Sequence, residues 1–134
     1  MRPSRIFING GPTDVTPPIL SSPTGTKSGP TTATGSVVTD EQNGTLYFLV
    51  NQSATPPSAA TIIATGESQV VTGLTENVTI TGLSPETTYY IHYVQKDAAL
   101  NESNVVSSTS FTTDASGAVV LDIFYRTLLA GASL

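Results

Sequence analysis

A single histidine, His92, is the one imidazole this chain can bring to acid–base work. Such work needs a nucleophile or carboxylate converging on the ring. The neighbours of His92 are Tyr90, Ile91, Tyr93 and Val94, which are the makings of a strand, with His92 on its outward face. Hydroxyls are abundant, but no Gly-x-Ser-x-Gly elbow presents one of them as a nucleophile. With no cysteine, thiol nucleophiles, disulfides and thiolate metal sites are excluded, so stability must come from packing. The expectation is a protein that is not an enzyme and carries no cofactor.

The ten acidic residues are scattered, and Asp40-Glu41 is their one adjacent pair. Asp97, Asn101 and Glu102 could offer hard oxygens to Ca²⁺, but that ion takes about six to eight of them. Asp and Asn in a tight loop more often cap turns through local hydrogen bonds. No metal is expected, and the fold should be indifferent to chelators. The net charge of −5, with five Lys and Arg, leaves no basic patch for phosphates, so a nucleic-acid surface is not expected.

The start, Met1-Arg2-Pro3-Ser4-Arg5-Ile6-Phe7-Ile8, looks briefly like a leader. Asn9-Gly10-Gly11-Pro12 ends its apolar run after three residues, and it is read as no signal peptide. Sequons at Asn43, Asn51, Asn77 and Asn101 are accordingly expected to stay bare. The apolar segment 118–134 is interrupted by Asp122 and Arg126 and is shorter than the roughly 20 residues of a membrane span, so no membrane contact is expected.

The elements that must position these residues read as strands. Charged residues make up 11% of the chain, and Val, Ile, Thr, Ser, Gly and Pro dominate the rest, a composition that favours strands and turns over helices. Residues 14–20 lead into a first strand whose prolines guard an edge, with Ile19 pointing inward. A second strand over 31–39 places Ala33, Gly35 and Val37 on one face. Residues 40–44 read as a hairpin turn, with Asn43-Gly44 supplying φ > 0. Residues 45–50 are apolar on both faces, so the outer face needs a cover. Residues 58–66 lose the two-residue period, and Ser58 as N-cap with Gly66 just past the end predicts one or two helical turns. Ile62 and Ile63 would supply the cover. Strands follow at 69–72, at 76–83 with Val78 and Ile80 inward, and at 88–96 with Tyr89, Ile91 and Tyr93 inward. A loop over 97–103 leads to a last strand over 104–113.

Gly82 to Tyr93 reads Gly-Leu-Ser-Pro-Glu-Thr-Thr-Tyr-Tyr-Ile-His-Tyr, a turn with Pro85 presetting φ before the strand opens at Tyr89. The spacing Leu83, Pro85, Thr87, Tyr89 resembles the E–F corner of fibronectin type III and related immunoglobulin-like domains. There a tyrosine opening the strand bonds back to upstream backbone. The runs Asp14-Val15-Thr16-Pro17-Pro18-Ile19-Leu20, Gly44-Thr45-Leu46-Tyr47-Phe48-Leu49-Val50 and Asp97-Ala98-Ala99-Leu100-Asn101-Glu102-Ser103 are similar to such modules in tailed-phage structural proteins. The core tryptophan usual in fibronectin type III strands is missing. The resemblance implies an all-β, immunoglobulin-like (fibronectin type III-like) β-sandwich over 13–114 with one short helix. It leaves an N-terminal arm at 1–12 and a C-terminal arm at 115–134.

Ile6, Phe7 and Ile8 in one arm, and Val119, Leu121, Ile123, Phe124, Tyr125, Leu128 and Leu129 in the other, have no place in such a core. The C-terminal pattern fits a strand and also a helical stripe. Burying one such side chain is worth about 1.5–3 kcal/mol, so they are expected to be covered by a partner. The resemblance implies a virion structural protein, a head or tail decoration module at the particle surface that docks on other virion proteins and on copies of itself. A second reading is a cell-surface adhesin module binding host glycans, with Tyr47 and Tyr90 stacking on sugars.

Overall fold

The computed structural model describes residues 13–117. In chain order they form β1 (Leu20–Lys27), β2 (Ala33–Thr39), β3 (Thr45–Asn51), α1 (Ala59–Thr65), β4 (Glu67–Val70), β5 (Thr75–Ile80), β6 (Thr88–Lys96), β7 (Val106–Ser107) and β8 (Phe111–Thr112). Two antiparallel sheets result, one in the order β1-β2-β5 and the other β4-β3-β6-β7, with β8 also on β6. They make an all-β sandwich of immunoglobulin-like strand order. In β2 and β5 every second residue is buried, as expected of a sheet with one wet face. Ala33, Val37, Val78 and Ile80 of that sheet meet Leu46, Phe48, Tyr89, Ile91 and Tyr93 of the other. No helix among the described residues is long and apolar enough to cross a membrane.

β6 is buried on both faces from Ile91 to Gln95, because α1 lies over the outer side of β3 and β6. The helix starts where the Ser58 hydroxyl accepts from the N–H of Thr61 at 3.2 Å, and it sinks Ile62 completely. Ile63 is half-buried. Gly66 ends the helix as read, but with an extended backbone at φ −82° rather than a left-handed one. Glycine is needed there for space, since a Cβ would stand 2.5 Å from the carbonyl oxygen of Phe48 and 2.6 Å from that of Ile62.

Several expectations need correction. Ile19 points out, 61% exposed, and Leu20 takes the inward position at 2%. The Ile19 N–H donates to Asp40 Oδ1 at 2.7 Å, while the ladder pairing of Leu20 with Thr39 sets which of the two faces the core. β1 begins after Pro17 and Pro18, and a register shift between Ser21 and Thr24, with Ser22 at φ 49°, carries Pro23 past the ladder. Residues 40–44 are no hairpin turn, because β2 and β3 belong to different sheets. The segment is an inter-sheet corner in which Gly44 alone adopts positive φ. The last strand is broken into β7 and β8. Between and before them Ser108 and Ser103 substitute for backbone, each hydroxyl accepting a β6 N–H, from Ile91 at 3.0 Å and from Gln95 at 2.8 Å. Each then donates to the carbonyl of the residue that follows it.

Candidate functional site

The corner that opens β6 is held by hydroxyls. Tyr89 is buried, and its oxygen accepts from the N–H of Ser84 at 3.1 Å. Leu83 is half-buried against the core, and Pro85 gives its carbonyl to the Thr87 hydroxyl at 2.8 Å. Thr113 closes the corner from the end of the sandwich, accepting from Thr87 N and donating to Ser84 O. The arm residues Ile6, Phe7, Ile8, Val119, Leu121, Ile123, Phe124, Tyr125, Leu128 and Leu129 lie outside the described residues.

His92 is on the outer face of β6 as expected, yet fully buried. Nδ1 lies 2.7 Å from Ser107 Oγ, and Nε2 lies 3.0 Å from Asn51 Oδ1 and 3.2 Å from the Ser53 carbonyl. Two acceptors at Nε2 place the ring proton there, so Nδ1 accepts from Ser107. Burial pushes the imidazole pKa down, and the Ser53 carbonyl only partly offsets it. The ring is a neutral tie between segments, with no carboxylate on it among the described residues. Tyr47 and Tyr90 do not form one stacking platform. Both are half-buried, and Tyr47 pairs with Val94, four residues or roughly 13 Å along β6 from Tyr90.

The opposite end of the sandwich gathers charge. One carboxylate oxygen each from Asp14, Glu41 and Asp97 lies within 4.8 Å of the others. Three segments place them: the lead-in to β1, the corner between β2 and β3, and the loop after β6. Asn101 welds two of these, donating its side-chain amide to the Asp14 carbonyl at 3.1 Å and to Asp97 Oδ2 at 2.8 Å, with its backbone N–H on Asp97 Oδ1. Asn43 binds the third, through Glu41 Oε2 at 3.3 Å and the Ala98 N–H at 2.7 Å. Burial would raise the Asp97 pKa, but the Asn101 side chain and backbone donors outweigh it and hold the carboxyl below its ordinary range. The two described lysines are engaged elsewhere, Lys27 by Asp114 and Lys96 by Glu102. Of the trio Asp97, Asn101 and Glu102 considered from sequence, Glu102 therefore turns away. Asp14 and Glu41, which sequence reasoning did not join to the loop, replace it. Exposed Val15, Ile19, Leu74 and Leu100 belong to the connections at this same end, and exposed Val70 ends β4 there.

No family model matches the chain, and no curated protein matches it. Among solved structures, the sensor domain of the anti-sigma factor RsgI4 in Pseudobacteroides cellulosolvens is similar at 17% identity and a TM-score of 0.42. The match covers 76% of this chain and 99% of that one.

Proposed function

We propose that this chain is a non-enzymatic virion structural protein of a tailed phage, a fibronectin type III-like head or tail module displayed at the particle surface. Its arms anchor it to neighbouring virion proteins and to other copies of itself. The observation that carries the reading is that, among the described residues, one buried cluster from Leu20 to Phe111 joins the two sheets. The two arms carry ten large apolar residues, and strand addition at a neighbour's sheet edge would satisfy their backbone and side chains together. The test compares the full chain with residues 13–117 by light scattering and by binding to virions. The shortened chain should stay folded and monomeric, while the full chain self-associates or binds the particle. A full chain that neither self-associates nor binds virions, or a shortened chain that binds virions equally well, overturns the reading.

A further inference from the structure

β4 and β5 end their sheets on the same side of the sandwich, and residues 71–74 bridge them at the acidic end. At the other end they part. Glu67, which opens β4, and Ile80, which closes β5, stand on either side of a groove floored by Phe48, Val50, Ile80 and Leu83, with Thr81 on its rim. Phe48 and Ile80 are core residues, so the groove opens onto the core itself. Its volume of about 230 Å³ falls short of the roughly 300–1,000 Å³ of small-molecule pockets and suits apolar side chains. A strand edge runs beside it. β5 ends the order β1-β2-β5, and no strand lies along its outer edge among the described residues. Edge strands are ordinarily blunted by a bulge, proline, lysine or brevity. β1, at the other side of that sheet, has its bulge and Pro23, and β4 has only four residues. β5 is six residues without a break, and its outward Thr75, Asn77 and Thr79 are exposed and uncharged. An apolar groove along an open edge is what an added strand requires.

We propose that residues 119–125 of a second copy add to β5 as an antiparallel strand, with side chains of the alternating set Val119, Leu121, Ile123 and Tyr125 filling the groove. This rests on the reading that copies of the chain cover one another's arms. The place where the described chain ends chooses the occupant. β8 runs antiparallel to β6, toward the corner, where Asp114 accepts from the Glu86 N–H and donates its own N–H to the Gly29 carbonyl. Thr113 there donates to the carbonyl of Ser84, the residue after Leu83 of the groove. The arm thus starts at the end of the sandwich where the groove lies, pointed away from it. To reach its own groove it would have to reverse and pass the ends of β1 and β2 between Asp114 and Val119. A second copy facing this end across a two-fold axis receives it without reversal. Continuing outward, the arm meets Ile80 of that copy first and runs on toward its Thr75, antiparallel to β5, and the second copy returns its own arm in the same way.

The chain has no cysteine, so introduced ones report proximity cleanly. Full-length Thr81→Cys is mixed with full-length Val119→Cys or Leu121→Cys and oxidised, and the parent's oligomeric state is measured by sedimentation. A parent dimer is expected, with a disulfide joining one copy of each variant and none from Val15→Cys at the far end. Thr81→Arg, at an exposed rim position, should keep the circular dichroism of the parent and weaken the dimer at least about tenfold by crowding the groove. A dimer that Thr81→Arg leaves intact, or whose cysteines do not join, overturns the exchange and leaves the arm reading standing, as does a monomeric parent that still binds virions. A disulfide closing within one chain of the double variant Thr81→Cys, Val119→Cys overturns it in favour of the chain's own arm. A parent that neither self-associates nor binds virions overturns both.

Discussion

The Tyr93 hydroxyl donates to the carbonyl of Thr24 at 2.7 Å, tying β6 to β1 across the thickness of the sandwich. Burial pushes the phenol pKa up, so the proton stays on the oxygen that needs it. Gly35 of β2 makes the room: a Cβ there would overlap the Tyr93 hydroxyl and stand 2.9 Å from the Thr24 carbonyl. Gly35→Ala should cost about 1–3 kcal/mol as overpacking, and Tyr93→Phe about 1–3 kcal/mol for a carbonyl left without its donor. Because removing the hydroxyl relieves the tightest of these contacts, leaving Ile91 Cδ1 at 2.7 Å and the Thr24 carbonyl, the double variant should cost less than the sum. Urea midpoints of the four proteins measure this, and strict additivity would contradict the contact.

Tyr89→Phe removes the acceptor of the Ser84 N–H. Ser84 is exposed, so water can replace part of the bond, and the loss should be about 1 kcal/mol. Tyr90→Phe, half-buried on the outer face and with no hydrogen bond at its hydroxyl among the described residues, is the control. An unchanged denaturation midpoint for Tyr89→Phe would leave the corner without an energetic role.

What was legible in the sequence was what neighbours along the chain decide. β6 falls on 88–96 as read, because one unbroken aromatic and β-branched run has no competing signal. α1 was legible from its Ser58 cap and loss of alternation. The corner at Gly44 was misread as a hairpin because positive φ looks the same whether the next strand joins the same sheet or the other. Ile19 was misplaced because the phase of the strand is set by pairing Leu20 with Thr39, a partner nothing local to Ile19 announces. The acidic cluster was invisible for the same reason: Asp14, Glu41 and Asp97 meet only once both sheets are folded, while local reading favoured Glu102, which Lys96 takes.

Glu76 opens β5 on its inner face, but its carboxylate caps the preceding turn. It accepts from Thr72 N and Gly73 N at 2.7 Å each and from Gln69 Nε2 at 2.8 Å. Burial opposes the charge, yet these donors outweigh it and hold the pKa below the ordinary 4.5. A carboxyl lowered in the fold contributes stability that is complete above about pH 4.5 and is lost as pH falls through the folded value. Glu76→Gln should cost about 1–2 kcal/mol near neutral pH, since hydrogen bonds to a charged acceptor are lost. Below pH 4.5 the variant's stability should fall less steeply than that of the parent. Denaturant midpoints measured down the acid limb test it, and parallel limbs would contradict it.

The acid response has an earlier part that belongs to His92, the one histidine in the chain. Its imidazole is buried and accepts from Ser107 at Nδ1, an arrangement that only the neutral ring can make. Its folded pKa lies below the ordinary 6.5, so the unfolded chain takes up a proton first. Stability is then full above about pH 6.5 and declines as pH falls from there toward the lowered folded value. Carboxylates titrate lower, so a decline between about pH 6.5 and 5 isolates this residue. In His92→Gln, which keeps a side-chain donor and acceptor but cannot titrate, that decline should vanish while the Glu76 limb below it remains. The measurement is the denaturant midpoint at closely spaced pH values in both proteins. A parent protein whose midpoint is flat over that interval would mean that Ser107 and Asn51 hold the charged ring as well as the neutral one.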